Sequence, residues 1–431
     1  MKNKIITALV ALCISMGATA QDNMSIAPAY KGTTIIKNGN VHTGTGAVLS
    51  NTSIKIENGK ITAIGQNITA SADSKTIDAT GKEVYPGLIL TNSAMGLREI
   101  VSAVRGSNDY SEIGELNPNV RAIAAYNANS KITNTVRGNG VLLAQIVPDG
   151  SLIAGSSSVV HLDAWDFEDA AYKMDEGLHV RMPSLLVRRS RNPIPPTENP
   201  LKRSYERIEQ IKSFLREAKA YQQEAKHEKT NLKFDAVKGL FNGTQAMYVH
   251  CELVKEMLIA IDFAKEFGCK LVLVGASESY QIASLLKANN VSVILEQVHR
   301  LPTAEDDDVD QPYKTPAALQ AAGVTYCLTD IDDKHFGRNL AFNAGTAVAY
   351  GLTKEQALSA ITINAAKIIG IDNRTGSIEV GKDANIVIST GDILDMRTNN
   401  VTDAMIQGRI LNLDDKQKQL YKKYSDKYAS E

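Results

Sequence analysis

Four short apolar runs decide the fold. Each run is followed by a helical pattern, or by a polar loop that leads into a helical pattern. They are Ala246-Met247-Tyr248-Val249-His250, Lys270-Leu271-Val272-Leu273-Val274, Val291-Ser292-Val293-Ile294-Leu295 and Val324-Thr325-Tyr326-Cys327-Leu328. Strands that alternate with helices predict βα units and a parallel sheet. Roughly 290 residues of this texture suit a distorted (β/α)8 TIM-like barrel, whose functional groups gather at the carboxyl ends of the strands. An open doubly wound sheet is the alternative, but no Gly-x-Gly-x-x-Gly fingerprint supports it.

Both ends of the chain have a β pattern of a different kind. Residues 53–57 alternate like a strand and run into Asn58-Gly59, a strong hairpin signal. Near the other end, residues 384–388 and 405–410 predict further strands. We therefore predict an α/β protein in which residues 31–85 and 376–412 form one small β-sandwich domain beside a barrel of residues 86–375. Residues 413–431 predict a charged helical tail, either a surface cap or an assembly element.

The N-terminus predicts export. Lys2 and Lys4 precede an apolar run, and Ala18-Thr19-Ala20 is a small-x-small cleavage site. This pattern predicts a signal peptide of residues 1–20 and a periplasmic or secreted mature chain. The apolar run is too short to span a bilayer. With 47 basic and 48 acidic residues, the charge indicates neither a nucleic-acid nor a membrane-surface partner.

Three segments together resemble a known family. Residues 77–82 (IDATGK) lead into Pro86-Gly87-Leu88-Ile89, residues 362–367 read TINAAK, and residues 376–383 read GSIEVGKD. In this order they resemble the amidohydrolase superfamily, in its imidazolonepropionase-like branch. The resemblance implies a distorted barrel flanked by a β-sandwich from both chain ends. It also implies hydrolysis of amide, cyclic amide or related C–N bonds by a metal-activated water, with zinc as the divalent metal.

The resemblance fails at the metal ligands of strands one and six. The family's His-x-His after strand one is replaced by Asn92 and Ala94, and the histidine ending strand six by Gly275. Alanine cannot ligate a metal, and an asparagine amide is a poor zinc ligand. Since catalytic zinc usually has three protein ligands, the sequence predicts a degenerate metal centre.

Strands five and eight keep the other two candidate ligands. His250 ends strand five on the same face as Tyr248, and Asp330 follows strand eight, with Asp332 as the second choice. His250 and Asp330 are the predicted catalytic and metal-binding pair. A structural histidine and a helix-capping aspartate are the alternative interpretations. Asn92, Tyr248, Gly275 and His299 are predicted to line the substrate pocket.

Other chemistry-bearing residues are weaker candidates. His161 ends an apolar strand and His299 lies just past another, so both could reach the barrel mouth, although structural or surface roles are favoured. The acidic run of residues 305–310 offers carboxylates for calcium. It lacks the ligand order and glycine of an EF-hand, so a solvated loop is favoured.

Two functions follow from these residues. The first is a hydrolase of C–N bonds other than ordinary peptide bonds, with a rebuilt metal site or none. The second is a non-catalytic pseudoenzyme that binds a small ligand or pairs with an active amidohydrolase subunit, as a homo- or hetero-oligomer. Fold alone cannot decide between them, because function resides in the site.

Overall fold

A computed structural model describes residues 26–99, 108–186, 200–224, 226–303, 307–331 and 337–429. The predicted signal peptide, Asp332 and part of the acidic run lie outside these residues. No helix within the described ranges is long and apolar enough to cross a membrane.

Strands from both ends of the chain form one mixed sheet, in the order β16-β15-β14-β5-β1-β2-β3 with β4 beside β1. Ile36 and Ile54 share one buried core with Ile386 and Ile388, so the two ends fold as a unit. The strands are β1 (Thr33–His42), β2 (Val48–Glu57), β3 (Lys60–Gly65), β4 (Lys75–Asp78), β5 (Glu83–Pro86), β14 (Ile386–Ser389), β15 (Val401–Ile406) and β16 (Arg409–Ile410).

The remaining strands form a nearly closed barrel in sequence order, with β6 and β13 at its two edges. The Thr329 hydroxyl donates to the Thr91 carbonyl across those edges. The strands are β6 (Leu88–Ser93), β7 (Val141–Ile146), β8 (Ile153–His161), β9 (Ala171–Arg181), β10 (Ala246–Cys251), β11 (Lys270–Gly275), β12 (Ser292–Leu295) and β13 (Tyr326–Leu328). Together with the composite sheet, this barrel confirms the predicted α/β fold class.

One barrel strand runs against the others. β8 is antiparallel to both β7 and β9, whereas the remaining neighbours are parallel. Only residues 147–152 join β7 to β8, too few for the crossover that a parallel neighbour requires. This hairpin is the distortion in the otherwise regular barrel.

Helices cover the outside of the barrel. They are α1 (Ala122–Ala125), α2 (Lys131–Gly138), α3 (Phe167–Ala170), α4 (Pro200–Gln223), α5 (Leu232–Ala236), α6 (Lys238–Asn242), α7 (Val254–Phe267), α8 (Ala283–Ala288), α9 (Gln311–Ala321), α10 (Leu340–Ala349), α11 (Lys354–Ala360), α12 (Ile363–Ile369) and α13 (Lys416–Tyr428). In α4, Ile211, Leu215 and Ala218 are buried at helical spacing, so one apolar face of this helix packs into the core.

A histidine joins the composite sheet to the barrel helices. His42 on β1 contacts Glu83 through Nε2 at 2.8 Å and Glu355 of α11 through Nδ1 at 2.7 Å, and its ring stacks on Tyr85. A ring with a carboxylate at each nitrogen is satisfied by the protonated form, in which both nitrogens donate. Burial opposes the charge, but the bonds to Glu355 and Glu83 outweigh it and raise the pKa of His42.

We expect this contact to make stability depend on pH. Because the folded pKa of His42 is raised, its contribution is present below the ordinary pKa of histidine and is lost as pH rises through the raised value. His42→Gln should lower the free energy of unfolding by about 2 kcal/mol in mild acid and by less at alkaline pH. Urea titrations across that range check this, and a difference that does not vary with pH would contradict it.

Candidate functional site

The carboxyl ends of the barrel strands open into a cleft of about 220 Å³. Strand ends supply Asn92 from β6, Arg181 from β9 and His250 from β10, while Glu296 and Asp330 follow β12 and β13. Among the described residues, the lining is Asn92, Ser93, Ala94, Arg98, Tyr110, Val147, Asp149, Arg181, His250, Glu296, Asp330 and Ile331. This is the end of the barrel where such folds place their sites.

Three of the residues predicted from the sequence therefore meet in the cleft: Asn92, His250 and Asp330. The other three lie elsewhere. Tyr248 is fully buried inside the barrel, Gly275 contributes nothing to the cleft lining, and exposed His299 bonds to Thr346 of α10 at 2.7 Å. His161 is also absent from the lining; it is buried near the amide of Asp163.

His250 is engaged by a second histidine. Nε2 of His250 lies 2.9 Å from Nδ1 of His179 on β9, and the His179 ring stacks on Tyr248 with centroids 4.7 Å apart. Burial, then the charge of Arg181, lowers the pKa of both imidazoles well below the ordinary value, so both are neutral. Nε2 of His179 is buried without a hydrogen-bond partner in the described part of the chain.

The hydrogen bond between the two rings needs one proton, which sits either on Nδ1 of His179 or on Nε2 of His250. In both tautomers Nε2 of His250 is engaged by His179, so Nδ1 is the nitrogen of His250 that is left for another contact.

A buried polar network lies beneath the cleft. Glu176 of β9 accepts hydrogen bonds from Gln145 at 2.7 Å, from Tyr248 at 2.7 Å and from Ser157. Burial raises the pKa of the Glu176 carboxyl, and these three bonds oppose the rise. The carbonyl oxygen of Gln145 accepts from the amide of Asn92 at 3.0 Å. The network thus fixes the end of β6, where Asn92 enters the cleft.

The backbone at Gly275 explains why no side chain stands there. Its φ is +86°, a conformation that L-residues other than glycine rarely adopt. A Cβ at this position would also collide with the carboxylate of Glu252. The loss of the strand-six ligand is therefore a change of backbone and neighbours as well as of side chain.

Asp330 has a structural partner. Its Oδ2 accepts the backbone N–H of Asn339 at 3.0 Å, just before α10 begins. This bond fits the helix-capping interpretation of the acidic turn. Asp330 is nonetheless part of the cleft lining, so its carboxylate serves both the helix start and the site.

Two cleft residues were missed from the sequence. Arg181 ends β9 directly across from His250 and pairs with Asp149 at 2.7 Å. Burial, reinforced by the charge of Glu252, raises the pKa of Glu296 to about 7, against the opposing charges of Arg300 and Arg181. The position of Glu296 could be located from the sequence, since it directly follows the apolar strand β12, whereas the charged residues within β9 hid Arg181.

Among the described residues, the donor set does not fit the metal that the resemblance implies. Asn92, Ala94 and Gly275, which stand at three of the expected ligand positions, supply no good ligand. Nε2 of His250 is engaged by His179. Across the described ranges, no group of three or more His, Cys, Asp or Glu residues could hold a metal ion. Asp308 of the acidic run pairs instead with Lys314 at 2.5 Å.

A distorted barrel, a composite β sheet and a cleft at the strand ends together define the class of amidohydrolase-like barrel proteins. The family model described as "Amidohydrolase family" matches residues 169–411. The chain belongs to this family.

Short segments are similar to two imidazolonepropionases, in accord with that branch. The similarity to the Thermoplasma volcanium protein is 39% identity over 82 residues, covering 19% of this chain and 20% of the relative. The similarity to the Shewanella frigidimarina protein is 56% identity over 39 residues, which covers 9% of this chain and 10% of the relative. The chain thus matches only about a fifth and a tenth of the length of these relatives.

Solved structures extend the likeness to nearly the whole chain. An amidohydrolase from Thermotoga maritima MSB8 is similar over 88% of this chain and 99% of its own, with a TM-score of 0.75 and 26% identity. An adenosine deaminase from Xanthomonas campestris with bound zinc is similar over 92% of this chain and 99% of its own, with a TM-score of 0.52 and 16% identity. The second likeness concerns the fold alone.

Proposed function

We propose that the barrel mouth binds a small polar molecule with an amide or cyclic amide group, and that this chain does not hydrolyse it by metal-dependent chemistry. The cleft offers two arginines, three carboxyl groups and the Tyr110 ring. Such a mixed lining suits a ligand with both donors and acceptors. The family relationship supports the amide as the group recognised.

One observation carries the proposal. The cleft is retained at the strand ends, whereas Gly275 has a backbone that excludes the family's histidine and Glu252 fills the adjacent space. Asn92 is likewise held by Gln145 in a left-handed conformation, with φ of +49°. These contacts support a cleft formed by a different set of residues. The difference from the family's site is then larger than the absence of metal ligands.

Metal analysis tests this directly. The purified chain, supplied with zinc during growth, should hold well below one zinc per chain, because no three ligand side chains among the described residues are grouped so that they could hold a metal ion. Chelator should leave its thermal stability unchanged. Nearly one zinc per chain that disappears in His250→Ala would contradict the proposal. A surface variant such as His227→Ala serves as the control.

Metal-independent hydrolysis of the same C–N bond is the second candidate, and Glu296 favours it. A carboxyl with a pKa of about 7 in a cleft is poised to exchange a proton near neutral pH. The carboxylate would take a proton from water as the water oxygen adds to the amide carbon. It would return the proton to the nitrogen as the C–N bond breaks.

This candidate predicts a pH profile. Chelator-treated protein should hydrolyse a panel of cyclic amides with a rate that rises through about pH 7, as Glu296 loses its proton. Glu296→Gln should abolish the rate, whereas Glu217→Gln on the exposed face of α4 should not change it. If the treated protein binds members of the panel, seen as a thermal shift, without cleaving them, binding alone is the function.

A further inference from the structure

The C-terminal helix α13 carries an uncovered aromatic stripe. Leu420, Tyr424 and Tyr428 recur every fourth residue, and Tyr421 stands three before Tyr424, so all four share one face. All four side chains are exposed: Leu420 by 42%, Tyr424 by 51%, Tyr428 by 61% and Tyr421 by 76%. No residue of this helix is buried. Large apolar side chains grouped in this way on a surface mark an interaction site.

The same helix is strongly basic. Between Lys416 and Tyr428 it holds five lysines and a single aspartate, Asp426. Two facing helices of this composition would repel each other. The partner surface must therefore be both apolar and acidic.

The segment of residues 165–169, Trp165-Asp166-Phe167-Glu168-Asp169, has those properties. Trp165 is 71% exposed and Phe167 is 39% exposed, and three carboxylates alternate with them. Asp169 accepts the backbone N–H of Trp165 at 3.0 Å, and Asp166 accepts that of Asp169 at 2.8 Å. These bonds hold the turn in a fixed shape, so the two rings are displayed without a further ordering cost.

Both surfaces arise from one place on the molecule. Arg137 of α2 binds Asp163, two residues before Trp165, at 2.5 Å. The same guanidinium donates to the carbonyl of Asn412, four residues before α13, at 2.9 Å. A face that carries a patch and its complement side by side is self-complementary, and a twofold axis then satisfies both patches at once.

We propose that two copies of this chain form a twofold dimer in which α13 of each copy docks on residues 165–169 of the other. Tyrosine and tryptophan rings supply the buried centre, and lysines paired with carboxylates form the rim, as in other specific interfaces. Two equivalent contacts form per dimer, which raises the effective concentration of the second once the first has formed.

Fluorescence of Trp165 can report on the proposed interface. Trp165 is the single tryptophan in the sequence, so the tryptophan emission comes from this segment alone. Sedimentation of the full chain over a dilution series should show a dimer that dissociates, and the Trp165 emission should shift to the red over the same concentrations. An emission that does not change with concentration, or a monomer throughout, would overturn the proposal.

Charge reversal separates docking from folding. Lys422→Glu with Lys423→Glu, and separately Glu168→Lys, should each weaken the dimer at least about tenfold. Combining these three substitutions in one chain should restore dimerisation, which a merely structural effect would not do. Tyr421→Ser with Tyr424→Ser should also give a monomer, whereas the exposed Tyr205→Ser on α4 should not.

Two further outcomes are decisive. If the charge-reversed combination stays monomeric while both parents remain folded by circular dichroism, the surfaces do not face each other and the proposal fails. A monomer that binds only an intact amidohydrolase co-expressed with it would also overturn self-pairing, and would assign α13 to a different acidic partner.

Discussion

Glu176→Ala should lower the free energy of unfolding by about 3–5 kcal/mol. The substitution removes the shared acceptor of Gln145, Ser157 and Tyr248, each of which is fully buried. The three donors would keep only longer contacts, at 3.3–3.4 Å, to Ser157, to the Gly177 carbonyl and to the Ile368 carbonyl, and a cavity would form beside them. The weakened hydrogen bonds and the cavity both add to the cost. Denaturant titration measures the loss.

Two further variants serve as controls for the Glu176→Ala result. Glu176→Gln keeps the shape and one acceptor oxygen, so it should cost less than Glu176→Ala. Glu217→Ala on the exposed face of α4 should change the stability little. Equal losses for all three variants would mean that the network contributes no specific stability. Because Gln145 also holds the amide of Asn92, Glu176→Ala should weaken ligand binding in the cleft as well.

Arg137→Met should cost about 3–5 kcal/mol, because it leaves a buried carboxylate without its main partner. The side chains of Arg137 and Asp163 are 5% and 0% exposed, and their atoms approach to 2.5 Å. Arg409 also lies near Asp163, at 3.4 Å, and can offset part of the loss. The midpoint of denaturant unfolding should therefore lie well below that of the wild-type chain.

The controls for this substitution use the same chemistry elsewhere. Arg203→Met on the exposed side of α4 should be nearly neutral. Replacing both charges, Arg137→Met with Asp163→Leu, should recover part of the stability, since the fully buried carboxylate is then gone and only the more accessible Arg409 loses its ionic partner. If the double variant is as unstable as the sum of the singles, packing and not charge explains the effect.

The predicted barrel follows from local signals that tertiary contacts did not override. Runs such as residues 270–274 have the length and the β-branched composition of buried strands, and the helical patterns between them favour strands over buried helices. The antiparallel β8 was not predicted, because strand direction depends on the six-residue connection to β7 and not on the composition of either strand. The signal peptide and the export it implies remain predictions.

The site was predictable only in part. His250 and Asp330 could be located because they end strands that the resemblance aligns, and both lie in the cleft. His299 could not be placed, because a few loop residues decide whether a side chain turns toward the mouth or toward α10. Glu296 was missed because its raised pKa arises from burial and from Glu252, neither of which a strand pattern reveals.

The sequence by itself determined the barrel, the domain built from both chain ends and the presence of Asn92, Ala94 and Gly275 where the resemblance expects metal ligands. Those features depend on residue type and spacing, which are local. Tertiary structure alone decided that His179 engages His250, that Glu252 occupies the space beside Gly275 and that residues 165–169 lie next to the base of α13. These contacts join residues distant in the chain, and their geometry exists only once the strands have been brought side by side.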